Sequence, residues 1–391
     1  MTTVLAPSSA QETNTEHIRV LDLFAGVGGL SEGFRSGHPR YRTERAVEME
    51  PRAAAGYALN HGDHVYTGTI QDWLKEESVP EVELVIGGPP CQGFSALGAR
   101  RVDDERNVLW RHYAEAVVMA RPKFFVLENV PQFRTSSQFE MFHAMTEKGG
   151  PLEDYVLTPH LVNAAEYGAA QIRRRVIVIG HHRDLPDPGF PQGAPDREEW
   201  PKVRDVIKGL PLPGTLPEGR LHDLPDGSTT PGPFRSDELH VGRNYSELSK
   251  KRFERIPYGG NRFDLPEHLK CEAWKKHTGG SGDVMGRLRW EEPSVTIRTE
   301  FTKPEKGRYL HPVHDRAISP HEGARIQGFP DDYRFVGPIT QIVKQIGNAV
   351  PIPLGRAIGR HLAPLLADAL SAPNSSTDQL ALIQEGDHEG S

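Results

Sequence analysis

Glu83-Leu84-Val85-Ile86-Gly87-Gly88-Pro89-Pro90-Cys91-Gln92-Gly93-Phe94-Ser95 is the stretch on which the reading of this chain turns. Its apolar run is short and closed by glycine, the pattern of a buried parallel strand. A cysteine just past the carboxyl end of such a strand stands where open α/β sheets place their chemistry. Two consecutive prolines fix their own φ and restrict the residue before each, so the loop presents Cys91 in a narrow range of geometries. Taken alone, Cys91 is also consistent with a small apolar filler.

On either side, apolar strands alternate with helical stretches, which predicts a mostly parallel sheet covered on both faces. Ile18 to Phe24, Thr43 to Glu48, Phe124 to Leu127 and Val176 to Gly180 read as strands. Leu30 to Ser36 and the run opened by Pro51 read as helices, and Leu109, Tyr113 and Val117 recur at helical spacing. The pattern fails between Leu185 and Arg235, where 11 of the 33 prolines lie. The organisation expected is a disordered arm over 1–16, a large domain over 17–184 and a loop-rich small domain over 185–317. The chain then returns to the large domain over 318–370, and an acidic tail follows over 371–391.

The chain has 391 residues, a mean hydropathy of -0.53 and no long apolar run, so no transmembrane helix is expected. The start lacks the basic and apolar regions of a signal peptide, and two cysteines cannot form a disulfide framework; both fit a reducing cytoplasm. Net charge is -7, yet positions 241–310 carry 15 Lys and Arg against 10 Asp and Glu, so basic residues concentrate in the small domain.

Three further stretches carry chemistry. Asp22-Leu23-Phe24-Ala25-Gly26-Val27-Gly28-Gly29-Leu30 joins a strand to a helix through a glycine-rich turn of the kind that lets backbone approach a ligand. Glu48 ends the next strand, where an acidic side chain accepts from ribose hydroxyls, so the pair suggests a nucleoside-bearing cofactor. Glu128-Asn129-Val130-Pro131 puts a carboxyl group at the same sheet edge as Cys91. In Gln171-Ile172-Arg173-Arg174-Arg175, alternation puts Gln171, Arg173 and Arg175 on one face, suited to an anion or to favouring a thiolate. No cluster with metal-ligand spacing accompanies them.

In this order the motifs resemble the DNA cytosine-5 methyltransferase family, bacterial type, over nearly all of positions 18 to 365. The Pro90-Cys91 loop, Glu128-Asn129-Val130 and Gln171-x-Arg173-x-Arg175 are the specific marks. Arg287 to Arg298, with Pro293 and Thr296-Ile297, is similar to the family's motif before the last block, and Gly347-Asn348 with Val350-Pro351 to the last block itself. That block's helix packs beside the first one in the family. The resemblance implies a Rossmann-like α/β domain with a smaller target-recognition domain. It implies S-adenosylmethionine held by Phe24, Gly26, Gly28, Glu48, Met49 and Asn348. It implies Cys91 as nucleophile, Glu128 as proton donor, and Arg173 and Arg175 as orienting groups. Substrate contacts would come from Pro90, Gln92, Ser95, Asn129 and Gln171. One departure concerns Thr69, where the family usually has an acidic residue for the adenine amino group; Asp72 is a shifted substitute. Met49 replaces a stacking aromatic.

The expected activity is methyl transfer to carbon 5 of a cytosine flipped out of duplex DNA, by a monomer that modifies DNA in a restriction-modification system or as an orphan. A cognate restriction endonuclease would act separately. Two other readings are an RNA (tRNA) cytosine-5 methyltransferase and a catalytically silent DNA-binding protein. The 106 residues between Gly180 and Arg287 favour duplex DNA over the first, and intact Cys91, Glu128 and the arginines count against the second.

Overall fold

The computed structural model describes residues 17–90, 109–276 and 279–371. In chain order these form β1 (Ile18–Leu23), α1 (Gly29–Gly37), β2 (Tyr41–Glu48), α2 (Pro51–His61), β3 (Val65–Thr67), α3 (Ile70–Glu76) and β4 (Leu84–Gly87). Then come α4 (Leu109–Ala120), β5 (Phe124–Asn129), α5 (Ser137–Ala144), β6 (Tyr155–Asn163), β7 (Gln171–Ile172) and β8 (Arg174–His182). The next part has short elements only: α6 (Val203–Ile207), β9 (Leu221–Asp223), β10 (Thr229–Pro231), β11 (Phe234–Arg235), α7 (Glu247–Arg255), α8 (Glu272–Lys276) and β12 (Ser294–Val295). The last are α9 (Pro320–Gln327), β13 (Arg334–Phe335), α10 (Ile339–Asn348) and α11 (Ile352–Ser371).

Seven strands make the central sheet in the order β3-β2-β1-β4-β5-β8-β6. Its apolar runs are continuous because both faces are covered, and the two-residue period of a strand sorts them. Val20, Leu84, Ile86, Phe124, Val126, Ile177 and Ile179 join one core with α1 and α11. Their neighbours Leu21, Leu23, Val85, Phe125, Leu127, Val176 and Val178 join another with α3, α4 and α5. The neighbouring pairs from β3 to β5 are parallel, whereas β8 runs antiparallel to both β5 and β6. The expected strand at Val176 to Gly180 is therefore longer and reversed, and β6 is an element that its mixed sequence, with a central Pro159, hid.

Helix starts follow local chemistry. Pro51 occupies the first turn of α2, where Glu50 accepts from Ala53 N. Thr69 caps α3, and Ser319 with Glu322 forms a capping box on α9. As the family resemblance implied, α11 lies against α1. The two helices meet through glycines: a Cβ on Gly33 would stand 2.7 Å from Gly355 Cα, and one on Gly359 2.9 Å from Phe34 Cα. Among the described residues no helix is long and apolar enough to cross a membrane.

The stretch expected as a separate domain over 185–317 contributes to two cores. Val203, Ile207, Phe234 and Leu239 share one with Phe329, Phe335 and Ile346 from the end of the chain. Phe253, Ile256, Leu265, Met285 and Leu310 form a small core of their own.

Candidate active site

Because β2 and β3 continue the sheet on one side of β1, and β4 and β5 on the other, chain direction across the sheet reverses between β1 and β4. Ligands of open α/β sheets bind in the crevice beyond the strand ends at such a point. The two loops singled out in the sequence leave it side by side, since Leu23 pairs with Gly87.

On the β1 side, Phe24 takes a left-handed backbone with φ 59, strained for a residue with a Cβ, and is half-buried. Gly26 follows with φ +58, and among the described residues no atom lies within 4 Å of where its Cβ would stand, so the turn leaves room there for a ligand. Glu48 reaches it from the end of β2: its carboxylate accepts from Gly26 N at 2.8 Å and Glu50 N at 2.7 Å. Burial raises this carboxyl above its ordinary range, opposed by these backbone donors. A carboxylate has about four acceptor positions, so these donors leave room for a ligand. Met49, next to it, is 63 % exposed. An open glycine, a carboxylate with spare lone pairs and an uncovered apolar side chain fit the ribose and adenine of S-adenosylmethionine. Gly28 differs: its φ is +91, and a Cβ would stand 2.5 Å from His61 Nε2 and 2.9 Å from the Tyr333 hydroxyl, so both backbone and packing call for glycine there.

On the β4 side, the Pro89-Pro90 loop is held by Asn129, a buried residue whose Nδ2 donates to Pro89 O at 3.1 Å. Glu128, beside it on β5, pairs with Arg175 at 2.7 Å (Nε to Oε1), and both side chains are about six-sevenths buried. A Cβ on Gly88 would be 3.1 Å from Glu128 Oε2. The second carboxylate oxygen thus faces the loop that leads to Cys91. Arg175 comes from the start of β8, and only the reversal of that strand brings it to the carboxyl end of β5. Cys91, Gln92 and Ser95 lie outside the described residues; Pro90 is half-buried at their edge.

The three-residue face expected of Gln171, Arg173 and Arg175 is broken at Arg173, which belongs to neither β7 nor β8. Arg173 is buried, and its Nη1 donates to Ile297 O at 2.9 Å and Gly347 O at 3.1 Å. Burial and the neighbouring Arg175 charge lower its pKa. Gln171 is wholly buried, and its amide meets Ile297 N, Ile326 O and the Gln327 amide. These two side chains face protein, and only Arg175 reaches Glu128. Asn348 ends α10 and is exposed. The turn beyond it leans on the glycine-rich loop: Gly29 would carry its Cβ 3.0 Å from Ala349 Cβ.

Thr69 donates to Asp72 Oδ2 at 2.6 Å and accepts from Asp72 N, so both are engaged in capping α3. Sequence reasoning missed Asp22. Its buried carboxylate accepts from Ser31 Oγ at 2.6 Å, and Ser31 meets the Tyr57 hydroxyl at 3.0 Å. Burial, eased by the Ser31 hydrogen bond, pushes Asp22 up to about 7. The available signal was an acidic residue in an otherwise apolar strand. No cluster of metal-ligating side chains occurs among the described residues.

The family described as C-5 cytosine-specific DNA methylase matches residues 18–363. The type II methyltransferase M1.HphI of Haemophilus parahaemolyticus is 32 % identical over 350 residues, 86 % of this chain and 84 % of its own. The type II methyltransferase M.XorII of Xanthomonas oryzae pv. oryzae is 31 % identical over 392 residues, 93 % of this chain and 88 % of its own. Among solved structures, one described as a prophage-encoded DNA modification methyltransferase (E. coli) superposes with a TM-score of 0.63 at 25 % identity, covering 89 % of this chain and 99 % of that one.

Proposed function

We propose, from the premise that the chain belongs to the C-5 cytosine-specific DNA methylase family, that it moves the methyl group of S-adenosylmethionine to carbon 5 of a cytosine turned out of duplex DNA. That it is a DNA cytosine-5 methyltransferase follows from the family. The observation that carries this reading is the Glu128–Arg175 pair set against Gly88, three residues before Cys91.

Carbon 5 of an intact cytosine is a poor nucleophile. The Cys91 thiolate adds to carbon 6, and Glu128 supplies the proton that ring nitrogen 3 takes up, which leaves carbon 5 electron-rich. Arg175 fixes the carboxyl's orientation, and Asn129 anchors the loop through Pro89. When bound, S-adenosylmethionine supplies a methyl group on a sulfonium, an electrophile that such a carbon attacks. Loss of the carbon 5 proton to a base then re-forms the ring double bond and expels Cys91. Phe24, Gly26, Glu48, Met49 and Asn348 would hold the cofactor. A base within a duplex cannot enter a crevice of this kind, so it must be flipped out.

Sequence recognition is assigned to the small domain expected over 185–317, within which about 245–310 has a small core of its own and carries the local excess of positive charge. The type II relatives support a role in restriction-modification, with the endonuclease acting separately.

Bisulfite sequencing of plasmid DNA from cells expressing the protein tests the reading. The parent should protect cytosines within one sequence, Cys91→Ser should protect none, and Glu128→Gln should protect far fewer while still binding cofactor. Protection by Cys91→Ser at the parent's level would remove Cys91 from the mechanism.

A further inference from the structure

At the carboxyl end of α9, Gln327 is wholly buried, and it has no role in the chemistry above. Its Nε2 donates to Ile346 O at 2.6 Å and to Ala349 O at 3.2 Å, the carbonyls that bracket Gly347-Asn348. Its Oε1 accepts from Gln171 Nε2 at 2.6 Å. The direction of each amide is fixed by backbone: two carbonyls can only accept, so Gln327 must turn its NH2 to them. Ile297 N can only donate, so Gln171 must turn its oxygen there and its NH2 to Gln327.

Arg173 takes a third carbonyl of this turn, Gly347 O. The last carbonyls of a helix have no partners within it, and a buried helix end must find them elsewhere. Here Gln327 and Arg173 provide three, and the Asn348 side chain is left exposed. The fit allows little slack, because a Cβ on Gly347 would stand 2.5 Å from Arg298 C and O. Gln171 and Arg173 in turn lead, two residues on, into Arg175, the partner of Glu128.

We propose that Gln327 is a positioning residue: it clamps the Gly347-Asn348 turn to the segment that carries Arg175, so that the cofactor-holding turn and the Glu128–Arg175 pair keep a fixed spacing. This rests on the reading that Asn348 meets the cofactor.

Gln327→Met keeps the volume and removes all three hydrogen bonds. Isothermal titration with S-adenosylmethionine, without DNA, should show affinity weakened about tenfold or more, as expected when two neutral hydrogen bonds that hold the turn are lost. In turnover, KM for the cofactor should rise while KM for DNA stays within about twofold. Ser319→Ala, which removes the cap at the other end of α9, about 12 Å away by helix rise, is the stability control. It should lower the melting temperature and leave cofactor affinity within about twofold. Unchanged affinity in Gln327→Met, or equal weakening in Ser319→Ala, would overturn the proposal. If Asn348→Ala binds the cofactor as the parent does, the underlying reading of the turn is what fails. Should Gln327→Met not fold, Gln327→Asn, whose amide is one methylene short of both carbonyls, is judged by the same outcomes.

Discussion

Two glycines in one loop-helix unit should lose stability for different reasons when given the same methyl group, and only one of them should also lose cofactor affinity. Gly33 lies within α1 with ordinary helical backbone, so propensity alone predicts that Gly33→Ala stabilises the protein by about 1 kcal/mol. The structure predicts the reverse. The new Cβ would stand 2.7 Å from Gly355 Cα, 2.9 Å from Gly355 C and 3.0 Å from Arg356 N, all backbone of α11. Ordinary contact begins near ~3.4 Å, so the helices must part by roughly half an ångström or more along a packed seam. Overpacking costs about 1–3 kcal/mol, and rigid backbone on the far side puts this case at the upper end. The net expectation is a loss of about 2 kcal/mol in urea denaturation, with cofactor affinity in the folded protein unchanged. At Gly26 a Cβ meets nothing among the described residues, but φ is +58; Gly26→Ala should lose only the ~1–2 kcal/mol of left-handed strain while weakening the cofactor by entering its space. A Gly33→Ala protein as stable as its parent would refute the steric reasoning, and a Gly26→Ala protein with intact cofactor affinity would move the ligand elsewhere.

Asp22 gives a pH prediction. Its folded pKa, about 7, lies above the ordinary 3.8, so the folded state holds the proton more tightly and stability falls as pH rises from about 4 through 7, by up to ~4 kcal/mol. Asp22→Asn should flatten that slope, gaining on the parent more at pH ~8 than at pH ~5; parallel urea-melt profiles would contradict this. Beside the small core, Lys251 is exposed and makes no hydrogen bond or ion pair among the described residues, whereas Arg252 donates to Leu269 O at 2.8 Å and lies 4.9 Å from the Trp274 ring. Lys251→Ala should weaken binding to all DNA sequences alike and reduce the salt slope by about one. Arg252→Ala should instead lower the melting temperature, and a pure salt effect there would show that Arg252 faces DNA.

Much of the site was legible because it sits where strand ends and glycine turns write themselves into local sequence. Phe24 to Gly28, Glu48, the Pro89-Pro90 loop and Glu128 all follow apolar runs whose period places them at one sheet edge. Alternation failed at Arg173 because it assumes an unbroken strand, and the break there turns the side chain toward Ile297 and Gly347, residues more than a hundred positions away. Nothing local distinguishes an arginine that will meet backbone carbonyls from one that will meet a carboxylate. The direction of β8 was hidden for a similar reason, since its partners β5 and β6 choose it. Composition marked the break at Leu185 but could not say that Val203 and Phe234 would pack with Phe329 and Ile346.

The seam between α1 and α11 also bears on how the protein comes into being. Gly33 and Gly355 are 322 positions apart, and Tyr41 donates its hydroxyl hydrogen bond to Gly359 O across 318. At roughly 5–20 residues per second, a ribosome needs between a quarter of a minute and a minute to reach the last helix after making the first. Throughout that time the glycine face of α1 and the apolar side chains beneath it have no cover. Contacts so distant in sequence are slow to close because the loop entropy must be overcome first. The carboxyl-terminal helix therefore works as a latch: a chain cut short before residue 352 leaves its cofactor crevice attached to an unfinished core. A truncated product would be open to proteolysis before it could bind DNA without the machinery to modify it.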